Sequence, residues 1–214
     1  SPAVFVPVLE RTGFVSSLDR CIWQQVFKWI GERLEAGKPV VPVSVNISQI
    51  DILSMDVAMV LDQLSRRYGV PANYVKVEIT ESAFVSNRES VSEFVCRVQS
   101  MGYAVYMDDF GSGQSSLSML RDMNIDCVKL DSCFMAPEES ERGGEIVQSA
   151  ISLVKNIKLP VVVEGVETKG QVDFLKGIGC RFVQGFYYHK PMPPSECEKL
   201  LTGQGQEAAP GAIA

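Results

Sequence analysis

The feature that most constrains this chain is a regular alternation. Short apolar, β-rich runs are each followed by a longer segment with helical periodicity. The runs are Val40–Asn46, Tyr74–Thr80, Tyr103–Asp108, Cys127–Leu130, Pro160–Val163 and Arg181–Gln184. The helical stretches are Leu18–Ala36, Val57–Tyr68, Arg88–Met101, Ser115–Met123, Gly144–Ile157 and Lys169–Gly177, with a last one at Ser195–Leu201 after a proline-rich turn. Turn signals separate them at Tyr68-Gly69-Val70-Pro71, Met101-Gly102, Lys158-Leu159-Pro160 and Ile178-Gly179. The runs are continuously apolar rather than alternating, which is the pattern of parallel strands covered on both faces. Repeated strand and helix predict an α/β fold, either a barrel or a doubly wound sheet. At 214 residues the chain can bury a sizeable core. No linker interrupts Val4–Leu200, so one domain is expected over residues 1–202, with 203–214 a small-residue, flexible tail.

The polar residues fall at the ends of these runs. Asn46 closes the first, Glu78 and Glu81 the second, and Asp108 with Asp109 the third. Lys129 lies in the fourth with Asp131 just after it, Glu164 and Glu167 follow the fifth, and Gln184 ends the sixth. In a β/α barrel all strand C-termini share one face, and active sites sit there. In a doubly wound sheet only the strands at the switch point would contribute. Six contributing strands favour the barrel. Taken singly, each residue has a plain explanation as a helix cap, a turn residue or an ion-pair partner. Taken together, several carboxylates on one face repel one another, and cations must offset that repulsion. A bound metal or metal pair would do so, with Asp108 and Asp109 as the bridging pair and Lys129 meeting a phosphate oxygen or holding a water.

Composition narrows the chemistry. The single histidine, His189, rules out a two-histidine zinc motif, so any metal ligands are mostly oxygens, which points to Mg²⁺, Mn²⁺ or Ca²⁺. Six scattered cysteines without a Cys-x-x-Cys pair read as reduced thiols rather than a disulfide framework. The net charge of −6 argues against a DNA or RNA duplex partner but leaves room for a small anion held through metal. No apolar run is long enough to span a bilayer, and the N-terminus shows no basic-then-apolar leader, so a cytoplasmic domain is expected, in a parent that could itself be membrane-anchored. The loop Asp109-Phe110-Gly111-Ser112-Gly113-Gln114-Ser115-Ser116 lacks the Gly-x-x-x-x-Gly-Lys of a P-loop. Its Asp-Phe-Gly triplet has no His-Arg-Asp catalytic loop to accompany it, since His189 is followed by Lys190-Pro191.

A set of short motifs, in order and spacing, resembles the EAL domain family from about Phe5 to Leu200. They are Phe5-Val6-Pro7-Val8-Leu9-Glu10-Arg11-Thr12-Gly13, Val45-Asn46-Ile47-Ser48, Glu78-Ile79-Thr80-Glu81-Ser82 and Asp108-Asp109-Phe110-Gly111-Ser112-Gly113. Val128-Lys129-Leu130-Asp131, Val163-Glu164-Gly165-Val166-Glu167-Thr168 and Gln184-Gly185-Phe186 complete the set. The resemblance implies a modified TIM barrel and metal-dependent hydrolysis of cyclic di-GMP to linear pGpG with Mg²⁺ or Mn²⁺, two ions per site. It implies Asn46, Glu78, Asp108 and Asp109 as metal ligands, with Glu164 helping to bind metal or water. Lys129 would contact the phosphate or attacking water, Gln184 would orient that network, Glu167 would sit at the substrate, and Glu81 would hold the Asp109–Ser116 loop. It further implies a homodimer, with sensory or diguanylate-cyclase-type domains upstream in the parent.

Departures from the family pattern are Gln114 for the usual tyrosine, Ser112 for threonine, Ser132-Cys133 for a more basic stretch, and Val163 for alanine. The family's Glu-Ala-Leu strand lies upstream of the segment matching Phe5, so one metal ligand is expected to be missing from these residues. A non-catalytic cyclic di-GMP receptor is the alternative reading, disfavoured because the catalytic positions from Asn46 to Gln184 keep the family residue types. The corresponding expectation is that these 214 residues on their own turn over cyclic di-GMP weakly or not at all; a steady-state assay at family-typical rates would contradict it.

Overall fold

The computed structural model describes residues 2–112, 117–135 and 141–203. The 203–214 tail beyond Gly203 and residues 113–116 of the glycine-rich loop, Gln114 included, lie outside the described residues. The fold is α/β. In chain order the elements are α1 (Pro2–Thr12), α2 (Val15–Glu35), β1 (Val43–Asn46), α3 (Gln49–Ser54), α4 (Val57–Tyr68), β2 (Val75–Thr80), α5 (Glu81–Ser86) and α6 (Arg88–Ser100). There follow β3 (Ala104–Phe110), α7 (Leu117–Asp122), β4 (Cys127–Leu130), α8 (Glu141–Asn156), β5 (Val161–Val163), α9 (Lys169–Gly177), β6 (Phe182–Val183) and α10 (Pro194–Leu201). The six strands follow chain order in one sheet. The β1–β2, β4–β5 and β5–β6 ladders are parallel. No helix among the described residues is long and apolar enough to cross a membrane.

All six expected strands form, and each expected helix has a counterpart. The strands β2, β4 and β5 carry the burial expected of parallel strands with two covered faces; every residue of β4 is buried. β1 and β6, the first and last in the sheet order, do not, with Ser44, Asn46 and Phe182 exposed. Periodicity missed three helices. α3 and α5 are only six residues each, too short to show a repeat, and α1 contains Pro7. α3 is instead announced by its cap: the Ser48 side chain accepts from Asp51 N, and Asp51 Oδ2 accepts from Ser48 N at 3.0 Å. That reciprocal box starts a helix that its own length could not sustain.

Cα packing divides the chain into two compact units, the first comprising Ser1–Tyr106 and Ser116–Ile125 and the second Met107–Ser115 and Asp126–Ala214. The first unit has its core in α2, α4, α6, β1 and β2, with Trp23, Phe27, Ile30, Leu61, Val77, Ile79, Val91 and Val98 fully or almost fully buried. α2 approaches α4 closely, since a Cβ on Gly31 would overlap the carbonyl of Tyr68. The second unit is built on β4, β5 and the helices α8 and α9, around Val128, Leu130, Ile151, Val154, Val163 and Leu175.

One hydrogen bond in the first unit reaches from core to strand end. Trp23 is completely buried, and its indole Nε1 donates to the main-chain carbonyl of Asn46 at 2.9 Å. Ile47 N donates to Glu78 O at 2.9 Å and continues the β1–β2 ladder one residue further. The end of β1 is thus tied on both sides. Trp23→Phe removes the donor and leaves the Asn46 carbonyl without that bond. It is expected to lower unfolding free energy by about 0.5–1.5 kcal/mol, read as a drop in urea midpoint without change in slope.

Candidate metal centre

Six strand ends deliver the polar residues. Asn46 is the last residue of β1, and its register partner on β2 is Glu78. Register partners on parallel strands send their side chains to the same face. Asn46 is exposed, whereas Glu78 is 7% exposed. Glu81 is buried as the first residue of α5. Asp108 and Asp109 lie inside β3, which runs two residues further than its apolar run, to Phe110. Lys129 is the third residue of β4, Glu164 directly follows β5, and Gln184 directly follows β6.

In the second unit the structure brings four of these side chains together. Carboxylate oxygens of Asp108, Asp109 and Glu164 all lie within 4.8 Å of one another. The Lys129 ammonium sits between two of them, 2.9 Å from Asp108 Oδ1 and 2.8 Å from Glu164 Oε1. Lys129 itself is 4% exposed and Asp108 8%. Glu164 is held by its own backbone: its N donates to Leu130 O at 3.0 Å, extending the β4–β5 ladder past the strand end. Glu167 and Gln184 are exposed, and Glu167 is not in the carboxylate set.

The presence of both Asp108 and Asp109 needs an explanation, because adjacent strand residues point to opposite faces. Asp109 has φ 56°, in the left-handed region. That turn breaks the alternation at the last step of the strand and lets the second carboxylate join the first. Aspartate is one of the few non-glycine residues that enter this region readily. The turn closes with Ser112 N donating to Asp109 O at 3.1 Å, and Asp109 N donates to Asp108 Oδ1 at 3.1 Å.

The loops around the cluster pack through glycines. At Gly165 φ is 69° and a Cβ would overlap the Cβ of Ser132. A Cβ at Gly185 would strike the Val166 backbone, whose N donates to Gln184 O at 3.1 Å and whose O accepts from Tyr187 N at 3.0 Å. Sequence reasoning missed Gln171, which is 8% exposed. Its Oε1 accepts from Glu167 N at 2.7 Å and Thr168 N at 3.0 Å, and its Nε2 donates to Met135 O at 3.3 Å. The signal was present as Thr168-x-x-Gln171, a capping box at the start of α9. Cys133, in the one-turn 3-10 segment Ser132–Met135, is exposed, and partial desolvation together with the Asp131 carboxylate pushes its thiol up to about 11.

The donor set suits a hard divalent cation. Its donors are carboxylate oxygens, without thiolate or imidazole. Within the set, three carboxylates meet one ammonium, an excess of two negative charges that a divalent ion would balance.

Comparison with known proteins came out consistently. The EAL domain family model matches residues 1–191. A protein of Escherichia coli (strain K12), named as probable cyclic di-GMP phosphodiesterase PdeB, is 31% identical over 196 residues, 92% of this chain and 37% of that protein. Cyclic di-GMP phosphodiesterase NbdA of Pseudomonas aeruginosa is 30% identical over 210 residues, 98% of this chain and 27% of that protein. The chain therefore spans well under half the length of these curated relatives. Among solved structures, the PaMucR phosphodiesterase in complex with c-di-GMP superposes with a TM-score of 0.86 at 26% identity, over 92% of this chain and 80% of that one.

The shared ammonium is the most exposed weakness of the cluster. Lys129→Met keeps the stem and deletes the charge, leaving Asp108 and Glu164 without it. With chelator present, the variant is expected to lose about 3–5 kcal/mol of stability by urea denaturation. Adding Glu164→Gln in that background should recover part of the loss.

Proposed function

The chain belongs to the EAL domain family, and from that premise we propose that its intact parent protein hydrolyses cyclic di-GMP to linear pGpG with Mg²⁺ or Mn²⁺ held at the carboxylate cluster. The observation that carries this reading is the convergence of Asp108, Asp109 and Glu164 oxygens within 4.8 Å. Asp108, Asp109 and Glu164 would hold the metal. When bound, a divalent ion or ion pair supplies positive charge to the phosphodiester and acidifies a water beside it. Asn46 and Glu78 keep the ligand role that the resemblance implies, and Glu167 and Gln184 the roles at the substrate and in the surrounding network.

Lys129 adds a fixed positive charge where hydrolysis needs it. Attack by water forms one P–O bond and breaks another, and negative charge builds on the phosphoryl oxygens meanwhile. An ammonium already buried and aimed by Asp108 and Glu164 needs no reorganisation to meet that charge. The same two carboxylates are the groups near which a proton from water can be taken up. In this reading the protein acts as a homodimer and receives its signal from sensory or diguanylate-cyclase-type domains of the same polypeptide. The greater length of its relatives supports the second point.

The test is conversion of cyclic di-GMP to pGpG by the full-length parent, followed by chromatography. Turnover should need Mg²⁺ or Mn²⁺ and stop in chelator. Asp108→Asn should lower kcat/KM by about 100-fold or more, and Asn46→Ala and Glu78→Gln examine the implied ligand roles in the same assay. Undiminished turnover in chelator would sink the mechanism, and cyclic di-GMP binding without hydrolysis would leave a receptor instead of an enzyme.

A further inference from the structure

We propose that the one-turn 3-10 segment Ser132–Met135 is a positioning wedge that sets the spacing of the carboxylate cluster, with Phe134 and Gln171 as its positioning residues. The inference rests on the reading that this cluster binds a divalent cation. None of the segment's side chains belongs to the cluster, yet the segment meets both loops that carry acids. On one side, the Phe134 ring occupies the space where a side chain on Gly111 would be. Gly111 lies inside the turn that runs from Asp109 to Ser112, and Gly111 and Asp109 have φ 94° and φ 56°. The ring therefore closes over a left-handed backbone and leaves it no room to relax towards that side. Asp131 N, just before the segment, donates to Phe110 O at 3.3 Å and fixes the same turn from its strand side.

On the other side, Ser132 fills the space beside Gly165, the residue after Glu164. At the end of the segment, the Met135 carbonyl accepts from Gln171 Nε2 at 3.3 Å. The other end of that amide accepts from the main-chain N–H groups of Glu167 and Thr168. One buried amide thus joins the wedge to the loop that follows β5. Asp131 anchors the segment itself, accepting from Phe134 N at 3.1 Å through its carbonyl and from Cys133 N at 2.7 Å through Oδ1.

The two acid-bearing loops are thereby referred to one rigid turn. Asp109 reaches the cluster only while its left-handed conformation holds, and residues kept in such a conformation persist because their surroundings over-determine it. Loosening the wedge should change the spacing of the carboxylates before it changes the fold.

The experiment compares the protein with its Phe134→Leu and Gln171→Met variants through two readouts besides activity. The first is Mn²⁺ affinity by electron paramagnetic resonance, expected to fall at least tenfold in each variant while the far-ultraviolet circular dichroism is unchanged. The second is hydrogen exchange of the Ser112 amide in metal-free protein, expected to speed up at least tenfold in F134L. A purely structural role would lower the melting temperature and leave both readouts of the folded protein where they were; that result overturns the wedge. If the unaltered protein binds no Mn²⁺ but Ser112 exchange still accelerates in F134L, the metal reading fails and the wedge stands. If neither occurs, both fall. Phe134→Met supplies the same readouts if F134L does not fold.

Discussion

Everything at the site depends on one electrostatic constraint: three carboxylates kept together against their mutual repulsion. Lys129 meets part of it. Its ammonium lies within 3 Å of two carboxylates and offsets part of the repulsion between them. The arrangement is mutual, so neither sign can be removed alone. It is also incomplete in charge, which is why it suits a divalent cation better than it suits an ordinary structural ion pair.

Holding that arrangement is the task of backbone more than of side chains. β4 is buried along its whole length, so Lys129 leaves a strand that has little freedom to move. Glu164 is fixed by a ladder hydrogen bond that outlasts its strand, and Asp109 by a turn that glycine and an aromatic ring close around. Functional groups placed on strand ends and on short, tightly packed loops inherit the precision of the sheet. The first unit shows the same economy at Asn46, whose carbonyl is gripped by an indole from the core.

Much of this was legible in the sequence because it follows from periodicity. The strands are continuous apolar runs, and the polar residue that ends each run stands out against it. Lys129, Asp108, Asp109 and Glu164 were therefore identifiable without coordinates. Periodicity could not reveal features without a repeat. The six-residue helices α3 and α5 are shorter than two turns, and although β1 and β6 were legible as strands, their exposed positions could not be foreseen from their apolar runs. Gln171 was legible only as the third position of the Thr168 capping box, because its further partners are main-chain groups, which every residue carries. The convergence of two adjacent aspartates ran against strand alternation and needed the φ of Asp109 to explain it.

That φ value also limits what position 109 can become. The proposed metal centre asks for a carboxylate there, and the backbone asks for a residue at ease with a left-handed turn. Aspartate satisfies both demands. Glutamate keeps the charge but has no such ease, and alanine has neither. Asparagine keeps the conformational tolerance and the shape while discarding the charge. It is thus the one ordinary exchange at which electrostatics can be separated from geometry, and a drifting sequence that lost the charge here without losing the fold would be expected to pass through it.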